Sequence, residues 1–381
     1  MNSRPISLYI HVPFCVDKCR YCDFYSLPYK NEYADSYVFA LTREWSLLVD
    51  RKSIDGNIST IFMGGGTPSL LTEEHWDQLN EGLFSRLNLR NLREWTLEVN
   101  PETFSEKKAA LWKRMGVTRL TFGIQSMNKR ELSVCGRIHT EKKALEVLSH
   151  PVLQEFNSTG ADVMFALPGQ TQKSLEHTLR TVLSCREVNH LSAYELTLNK
   201  STPFGKHRKI LPLPEEAVSL KMYKLIWDIC SEYGLEQYEI SNYSRKGHQS
   251  EHNKAYWNHS PYIGLGPAAH SYVHPLRWSN TNNLEEYISS IGTGKLPISF
   301  SEEIGPNELA SEMIFLRLRK NEGLDEIEYF EKTGYRFADG NRVSLLRRLS
   351  SEQMILHEGN RWILTRKGRL FADKIASDLM F

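Results

Sequence analysis

Short runs of β-branched and aromatic residues alternate with amphipathic stretches from residue 6 to about residue 198. Six runs predict strands, each followed by a polar or glycine-containing turn, at 6–12, 59–63, 93–99, 118–124, 160–167 and 190–196. Amphipathic periodicity predicts helices between them, at 31–50, 73–87, 105–115, 140–149 and 172–184. Such alternation is typical of βα units around a parallel sheet. Because a closed barrel takes eight units, six predict an α/β fold with an open, TIM-like partial (βα)6 barrel.

The remaining sequence divides into two further parts. Residues 212–234 predict another helix, so the partial barrel is expected to occupy 1–235. Between 236 and 300 the composition shifts to Tyr, Asn, His, Ser, Trp and Gly with little periodicity, which indicates a functional segment packed on the barrel. Residues 301–381 predict a mostly helical, winged-helix-like domain with a small hairpin around 361–365.

The charge balance excludes several classes of partner. The chain has 47 Lys and Arg against 46 Asp and Glu, so no excess positive field draws it to nucleic acid or an anionic membrane. Residues 301–381 carry 13 basic against 14 acidic residues, which favours packing or partner docking over DNA binding. The N-terminus lacks signal-peptide features, and no run approaches the ~18 apolar residues of a spanning helix. We therefore expect a cytoplasmic protein without a transmembrane segment; transient contact with a membrane protein stays open.

Three of the six cysteines crowd into one loop directly after the first strand. Cys15, Cys19 and Cys22 form C-x3-C-x2-C at the expected mouth of the barrel. Closed zinc sites and electron-transfer clusters take four ligands, so a cubane on three thiolates leaves one iron open for another chelator. A zinc site completed by His11 or Asp23 is the alternative. The other three cysteines lie in helical sequence, where they read as small apolar residues.

A glycine triplet, residues 64–66, follows the second strand in the motif GGGTP. Bare backbone groups there can reach the polar atoms of a ligand. Together with the cysteine loop, this motif resembles the radical S-adenosylmethionine superfamily. The resemblance implies a [4Fe-4S] cluster on Cys15, Cys19 and Cys22 whose open iron binds the methionyl amine and carboxylate of S-adenosylmethionine. Cluster reduction would then cleave the sulfonium to a 5'-deoxyadenosyl radical.

Over nearly its whole length, the sequence looks like the branch of this superfamily that contains oxygen-independent coproporphyrinogen III dehydrogenase and the HemW-type haem chaperones. The resemblance places Tyr9 and Tyr21 against the cofactor, although Tyr9 could instead be simple strand packing. It also implies cofactor contacts at strand ends, whose acceptors suit ammonium and hydroxyl groups and whose guanidinium suits a carboxylate. These contacts are Gly65, Gly66, Thr67, Glu98, Gln125, Arg137 and Asp162.

Two features separate the branches. The dehydrogenase loop ordinarily carries a fourth cysteine two residues past the third, whereas Cys22 is followed here by Asp23 and Phe24. Residues 252–257, HNKAYW, match the HNxxYW motif of the haem chaperones. Pro267 and Ala268 depart from the more glycine-rich chaperone sequence, which leaves that loop's shape open.

The HNxxYW motif is the predicted haem site. His252 offers an imidazole for haem iron, and Tyr256 and Trp257 offer flat rings for a porphyrin face. Because residues 237–280 follow the sixth strand, we expect this segment to cross the open side of the barrel and face the cysteine loop. His270 is the second candidate ligand, and a purely structural role for His252 and Trp257 is the alternative.

The resemblance therefore implies a haem chaperone that carries the cluster and S-adenosylmethionine and transfers haem to an acceptor haemoprotein. Whether the chain also catalyses a reaction stays open. An oxygen-independent coproporphyrinogen III oxidase, or a radical enzyme with some other substrate, is the alternative function.

Overall fold

The computed structural model describes residues 5–52 and 57–381. Twelve strands of the described chain form one sheet. They are β1 Ile6–Val12, β2 Ile58–Gly65, β3 Glu94–Val99, β4 Arg119–Gln125, β5 Ser158–Phe165, β6 Val188–Glu195, β7 Glu236–Glu239, β8 Asn242–Ser244, β9 Tyr262–Leu265, β10 His270–Val273, β11 Leu276–Asn280 and β12 Ile298–Glu303. A separate three-stranded sheet consists of β13 Leu324–Asp325, β14 Ile355–Glu358 and β15 Arg361–Leu364.

Helices follow most of the barrel strands and dominate the C-terminal part. They are α1 Asn31–Lys52, α2 Glu73–Gly82, α3 Glu106–Met115, α4 Lys129–Cys135, α5 Glu141–Leu148, α6 Gln172–Leu183, α7 Pro203–Lys206, α8 Glu216–Glu232, α9 Glu251–Trp257, α10 Leu284–Gly292, α11 Pro306–Leu318, α12 Glu326–Thr333, α13 Asn341–Ser351 and α14 Ala372–Leu379. Short 3-10 turns occur at Pro68–Leu70, Phe84–Arg86, Pro101–Thr103, Pro151–Glu155, Arg208–Ile210 and Gly368–Phe371. None of the described helices is both long enough and apolar enough to cross a membrane.

The predicted partial barrel is confirmed. Strands β1 to β6 lie side by side in chain order, all parallel, with boundaries within two residues of those predicted. Local sequence explains the connections: Ser105 caps α3 by accepting a hydrogen bond from the Lys108 N–H, and Gly116 ends it with a left-handed backbone at φ +104°. The carboxyl ends of all six strands therefore meet at one face, where ligands bind in such folds.

The segment 236–300 extends both edges of this sheet. The hairpin β7–β8 pairs antiparallel with β6, whereas β9 pairs parallel with β1 and continues into the antiparallel strands β10 to β12. Most of this segment is regular structure, which its weak periodicity did not predict. The predicted divisions at residues 235 and 300 stay predictions, since the sheet runs through the middle segment into β12.

The described residues form two large hydrophobic cores and a small cluster of Cys135, Met164, Leu167 and Phe204. The larger core packs the barrel strands against their helices. The smaller one joins α11, α12, α13, α14 and the three-stranded sheet. The hairpin β14–β15 confirms the predicted turn near 361–365, and helices followed by a hairpin give this part the expected winged-helix-like arrangement.

Candidate functional site

The cysteine loop is held at both ends by a short parallel pairing of Phe14–Cys15 with Leu27–Pro28. The Leu27 N–H donates to the Pro13 carbonyl at 2.7 Å, and the Tyr29 N–H donates to the Cys15 carbonyl at 2.9 Å. A turn from Cys19 to Cys22, with N···O at 3.1 Å, brings these two residues back towards each other. The sequence after β1 therefore forms a closed loop that projects its three thiols at the carboxyl face.

The thiols have polar neighbours from other βα units. The Thr67 hydroxyl lies 3.7 Å from the Cys15 sulfur, and an Arg137 Nη1 lies 3.6 Å from the Cys19 sulfur. Burial raises the pKa of the Cys22 thiol to about 11 and also raises the pKa of Cys15. Metal binding to these residues must displace protons, so it is favoured by higher pH.

A cavity of about 360 Å³ opens beside this loop. Eleven residues singled out from the sequence line it: Cys15, Cys19, Tyr21, Cys22, Gly65, Gly66, Thr67, Glu98, Gln125, Arg137 and Asp162. Residues in or just after β2, β3, β4 and β5, Arg137 after α4 and the cysteine loop thus share one space. Among the described residues, no three His, Cys, Asp or Glu side chains converge on a point that a single metal ion could occupy. In an iron–sulfur cubane each thiolate binds a separate iron.

The glycine triplet is required by close packing as well as by any ligand. Gly65 has φ +97°, and a Cβ there would lie 2.4 Å from the His11 ring. A Cβ on Gly66 would lie 2.6 Å from the Val12 carbonyl oxygen. The N–H groups of Gly65, Gly66 and Thr67 already donate to Glu98, Val12 and Phe14, respectively. Because a ligand ammonium needs acceptors, the backbone groups that suit it at this place are carbonyl oxygens.

Two carboxyl groups, Glu98 on β3 and Asp162 on β5, face the cavity from either side of β4. Burial, together with the nearby Asp162, raises the pKa of Glu98 to about 8. Burial also raises the pKa of Asp162 to about 6, although Ser192 and Arg137 oppose that shift. A cationic group placed beside Glu98 would favour its ionised form. These carboxyls therefore suit the ammonium and hydroxyl groups of S-adenosylmethionine.

Arg137 provides the positive charge on the other side. Its Nη2 donates to the Gly123 carbonyl, and its Nε has no partner. One oxygen of Asp162, Oδ1, is likewise buried without a partner. Buried polar atoms are nearly always paired in folded proteins, so these two orphans fit a polar ligand that fills the cavity. Gln125, with φ +68°, turns into the same space at the end of β4.

The two predicted tyrosines differ in position. Tyr21 lines the cavity, with its ring centroid 6.5 Å from that of Phe204. Tyr9 lies outside the cavity lining, inside the barrel, where its hydroxyl is 3.0 Å from His11 Nδ1 and its ring packs 6.2 Å from Phe62. Tyr21 thus lies in the cavity with the three cysteines, whereas Tyr9 lies in the barrel interior outside that cavity.

The structure separates His252 from the other predicted residues. Its Nδ1 lies 2.8 Å from the Thr60 hydroxyl near the start of β2, and its Nε2 lies 3.1 Å from the Tyr256 hydroxyl. The side chain is 1% exposed. The expectation that this segment faces the cysteine loop is wrong for α9, because α9 packs at the amino ends of the barrel strands. His252 can ligate haem only if α9 leaves this position.

A second, smaller cavity of about 50 Å³ lies between α9 and the cysteine-loop cavity. Glu98 and Asp162 line both cavities, whereas Ser250 and Asn253 line only the inner one. Helix α9 therefore forms the floor of the barrel interior.

Several cavity residues were missed in the sequence. They are Asn100, Thr121, Met164, Tyr194 and Thr197, together with the apolar rim residues Val16 and Ile138. Most lie in or just after the barrel strands near their carboxyl ends. The general rule that ligands bind at this face could have identified these positions as candidates.

Comparisons with known proteins agree with this geometry. Residues 9–182 match the family model of the radical SAM superfamily, and residues 304–371 match that of the HemN C-terminal domain. The solved structure described as coproporphyrinogen III oxidase (HemN) from Escherichia coli, a radical SAM enzyme, superposes with a TM-score of 0.85. It covers 99% of this chain and 90% of that chain at 23% identity, which shows a shared fold. The fold and site define a member of the radical SAM superfamily.

Curated relatives narrow this assignment. The heme chaperone HemW of Bacillus subtilis is 34% identical over 97% of each chain. The heme chaperone HemW of Escherichia coli K12 is 33% identical, again over 97% of each chain. The mitochondrial radical S-adenosyl methionine domain-containing protein 1 of Danio rerio is 33% identical over 84% of this chain and 73% of its own. The chain belongs to the HemW family.

Proposed function

We propose that this chain is a haem chaperone that binds haem and transfers it to acceptor haemoproteins. The observation that carries the proposal is the single cavity that unites three cysteines with seven polar or backbone contacts of the predicted cofactor site. The names of the HemW relatives supply the haem function. Phe24 supports the same branch, since it occupies the loop position of the oxidase's fourth cysteine and lies on the cavity rim, 59% exposed.

In this proposal Cys15, Cys19 and Cys22 hold a [4Fe-4S] cluster. Glu98 and the carbonyl oxygens of the glycine triplet accept from the methionyl ammonium of S-adenosylmethionine, and Arg137 meets a carboxylate. Asp162 and Gln125 serve hydroxyl groups, Thr67 adds a hydroxyl contact, and Tyr21 packs against the cofactor. When bound, the cluster supplies one-electron reduction of the sulfonium.

Cluster binding is tested by anaerobic reconstitution, iron and sulfide analysis, and EPR with and without S-adenosylmethionine. We expect about four irons per chain, with an EPR signal that changes when the cofactor is added. Cys19→Ala should abolish the full cluster. Cys135→Ala is the matched control, because Cys135 is a buried cysteine whose carbonyl accepts from the Arg20 N–H but which lies outside the cavity. A single zinc per chain, or a full cluster in Cys19→Ala, would contradict the proposal.

The chaperone function is tested by loading the reconstituted protein with haem and following its transfer to an apo-haemoprotein by the Soret band. A parallel anaerobic assay with coproporphyrinogen III, S-adenosylmethionine and a reductant tests the oxidase alternative. We expect haem transfer and no vinyl-group formation. Vinyl formation at an enzymatic rate would assign the oxidase function instead. Failure of both assays, with cofactor cleavage driven by another molecule, would assign a different radical reaction.

A further inference from the structure

The smaller cavity of about 50 Å³, which we call the inner cavity, is surrounded by buried polar atoms that lack a protein partner. Among the described residues, these atoms are Thr96 Oγ1, Arg119 Nη1, Asp162 Oδ1 and His190 Nδ1, and all four side chains line the inner cavity. Thr96, Arg119 and His190 are 0%, 4% and 3% exposed. Because buried polar atoms are nearly always paired, four such atoms around one small cavity indicate a polar ligand inside it.

The hydrogen-bonding roles of these atoms indicate the kind of ligand. Arg119 Nη1 can only donate and an ionised Asp162 can only accept, whereas the Thr96 hydroxyl can do both. A lone anion would serve only the donor, and a lone cation would serve only the acceptor. Water both donates and accepts, and a cavity of about 50 Å³ has room for roughly three molecules, since each needs about 10–15 Å³ of such a volume.

Arg119 connects the inner cavity to the turn that leads into α9. Its Nε donates to Glu94 at 2.9 Å, and its Nη2 donates to the carbonyl oxygens of His248 and Gln249 at 2.9 and 3.0 Å. Nη1 is the remaining nitrogen of the guanidinium. A ligand that binds Nη1 therefore completes the hydrogen bonding of a group that already holds the start of α9.

His190 provides a second connection to the same segment. Its Nε2 lies 2.8 Å from the Tyr238 hydroxyl, and that hydroxyl accepts from the Ser250 N–H at 3.3 Å. The Ser250 hydroxyl caps α9 by accepting from the Asn253 N–H at 3.2 Å, and both Ser250 and Asn253 line the inner cavity. The start of α9 is thus part of the cavity wall and is joined to Arg119 and His190 by hydrogen bonds.

The opposite wall of the inner cavity belongs to the predicted S-adenosylmethionine site. Glu98, Thr121, Asp162 and Tyr194 line both the inner cavity and the cysteine-loop cavity. A carboxylate oxygen has about two lone-pair sites, so Asp162 Oδ1 can accept from water on one side and from a ligand hydroxyl on the other. A ligand in the cysteine-loop cavity can therefore act on the inner cavity through Asp162.

We propose that the inner cavity binds a cluster of about three ordered waters that links Asp162 to Arg119 and His190, and that S-adenosylmethionine thereby stabilises α9 at the amino ends of the barrel strands. This inference rests on the proposed cofactor site and extends it to the HNxxYW helix. A bound cofactor separates the cluster from bulk solvent, and hydrogen bonds of a buried network are stronger there. Because His252 stays buried while α9 holds this position, the cofactor also controls how readily His252 becomes accessible.

The test is amide hydrogen exchange, measured by mass spectrometry, on the anaerobically reconstituted full-length protein with and without S-adenosylmethionine. The cofactor should slow exchange in 248–257 by at least roughly fivefold, the lower end of typical coupling between two sites. Exchange in α14, which lies in the other large core, should stay unchanged. Thr96→Val keeps the branched shape and removes a hydroxyl without a protein partner, so it should take away most of the slowing. A crystal structure of the wild-type protein should show ordered water bonded to Thr96 Oγ1 and Arg119 Nη1.

Thr159→Val is the matched control, because Thr159 is a buried threonine of β5 that lines neither cavity. It should keep the full slowing. EPR of the cluster verifies that each variant binds the cofactor. Equal slowing in wild type and Thr96→Val, or an inner cavity without ordered water, would overturn this inference. Cofactor binding by the wild-type protein without slowing in 248–257 would also overturn it and leave the proposed function standing. An EPR signal of the wild-type protein that does not respond to S-adenosylmethionine would overturn the proposed cofactor site itself.

Discussion

Glu98 and Asp162 are two buried carboxyl groups that line the same cavity, and burial is the main cause of the raised pKa of each. Because the pKa of Glu98 is raised to about 8 by burial and by Asp162, the folded state binds its proton more tightly than the unfolded state does. The stabilisation from this tighter proton binding is fully present at pH values below the ordinary pKa of a glutamate. It is lost as the pH rises towards about 8, the pKa in the folded state. The cofactor-free protein should therefore lose stability across this window.

Glu98→Gln should remove much of that pH dependence, because glutamine keeps the shape without the titrating proton. We expect the melting temperature of the variant to rise relative to wild type as pH increases from about 5 to about 8. Glu102→Gln, at an exposed position on the turn after β3, is the control and should follow wild type. A constant difference between Glu98→Gln and wild type at all pH values would contradict this account.

Gly65 combines two constraints that can be measured separately. Gly65→Ala must adopt φ +97° and also place its Cβ 2.4 Å from His11, whereas Gly169→Ala meets φ +76° with no atom within 4 Å. The backbone cost alone is about 1–2 kcal/mol, so Gly169→Ala should lose about that much unfolding free energy in urea. Gly65→Ala should lose clearly more. Equal losses would show that the loop yields to the clash.

Eleven of the residues singled out from sequence motifs line one cavity, because strand ends and a cysteine-rich loop are recognisable from local sequence, whereas their roles toward a cofactor stay predictions. Tyr194 and Thr121 were missed, since each is an ordinary β-forming residue whose role comes only from the strands beside it. The Ala268 departure from glycine is now interpretable: Ala268 adopts φ +61°, so the loop keeps a left-handed backbone without glycine.

The position of helix α9 was predicted wrongly from the sequence, because α9 packs at the amino ends of the barrel strands and does not face the cysteine loop. Its aromatic and polar residues suggested a ligand site, but its placement depends on contacts with strands more than a hundred residues earlier. Glu94, the first residue of β3, accepts from the Ser250 hydroxyl and from the N–H groups of Glu251 and His252. The pairing of β9 with β1 could not be predicted from the sequence either, because the order of distant strands in a sheet produces no local pattern of residues. The six barrel strands were predictable because each contains a run of β-branched and aromatic residues that a polar or glycine-containing turn follows.

Glu94→Gln tests whether the hydrogen bonds of Glu94 hold α9 against the barrel strands. Glu94 is buried and pairs with Arg119 at 2.9 Å, so removing its charge should cost about 3–5 kcal/mol of unfolding free energy by leaving Arg119 uncompensated. Glu251→Gln is the control, since its 3.1 Å pair with the exposed Arg93 should contribute less than about 1 kcal/mol. Chemical denaturation of the three proteins measures both values.

The pH dependence of Glu94 runs opposite to that of Glu98. Burial alone would raise the pKa of Glu94, but Arg119 and the α9 N–H groups outweigh it, and the net shift is downward. Ionised Glu94 therefore stabilises the folded state at pH values above the ordinary pKa of a glutamate. This stabilisation is lost as the pH falls through the lower pKa of the folded state. Glu94→Gln should flatten the acid loss of stability, and an unchanged acid limb would contradict the assignment.

At the scale of the whole molecule, α9 joins the barrel to the C-terminal helices. Its first turn is bonded to the barrel strands, whereas Trp257 at its end packs under Arg319, with the guanidinium 4.7 Å from the ring centroid. Asn258 accepts from Lys320 at 2.8 Å and from Arg317 at 2.5 Å. The HNxxYW motif thus has a structural use at both ends, as floor of the barrel and as anchor for α11.

Arg319, directly after α11, contacts two other elements at this junction. It donates to the fully buried carboxylate of Glu239 at 3.3 Å while covering Trp257, so it links α11 to β7 and α9 at once. Arg319→Ala leaves Glu239 as an uncompensated buried charge, which should cost about 3–5 kcal/mol. Because the lost contacts lie at the junction, hydrogen exchange should accelerate first in α11, β7 and α9.

Arg342→Ala is the matched control, because the guanidinium of Arg342 lies 4.3 Å from the ring centroid of Phe381, in the C-terminal part of the chain. Its exchange changes should stay near that contact. Equal acceleration at the junction in both variants would show that Arg319 does not hold the two parts together.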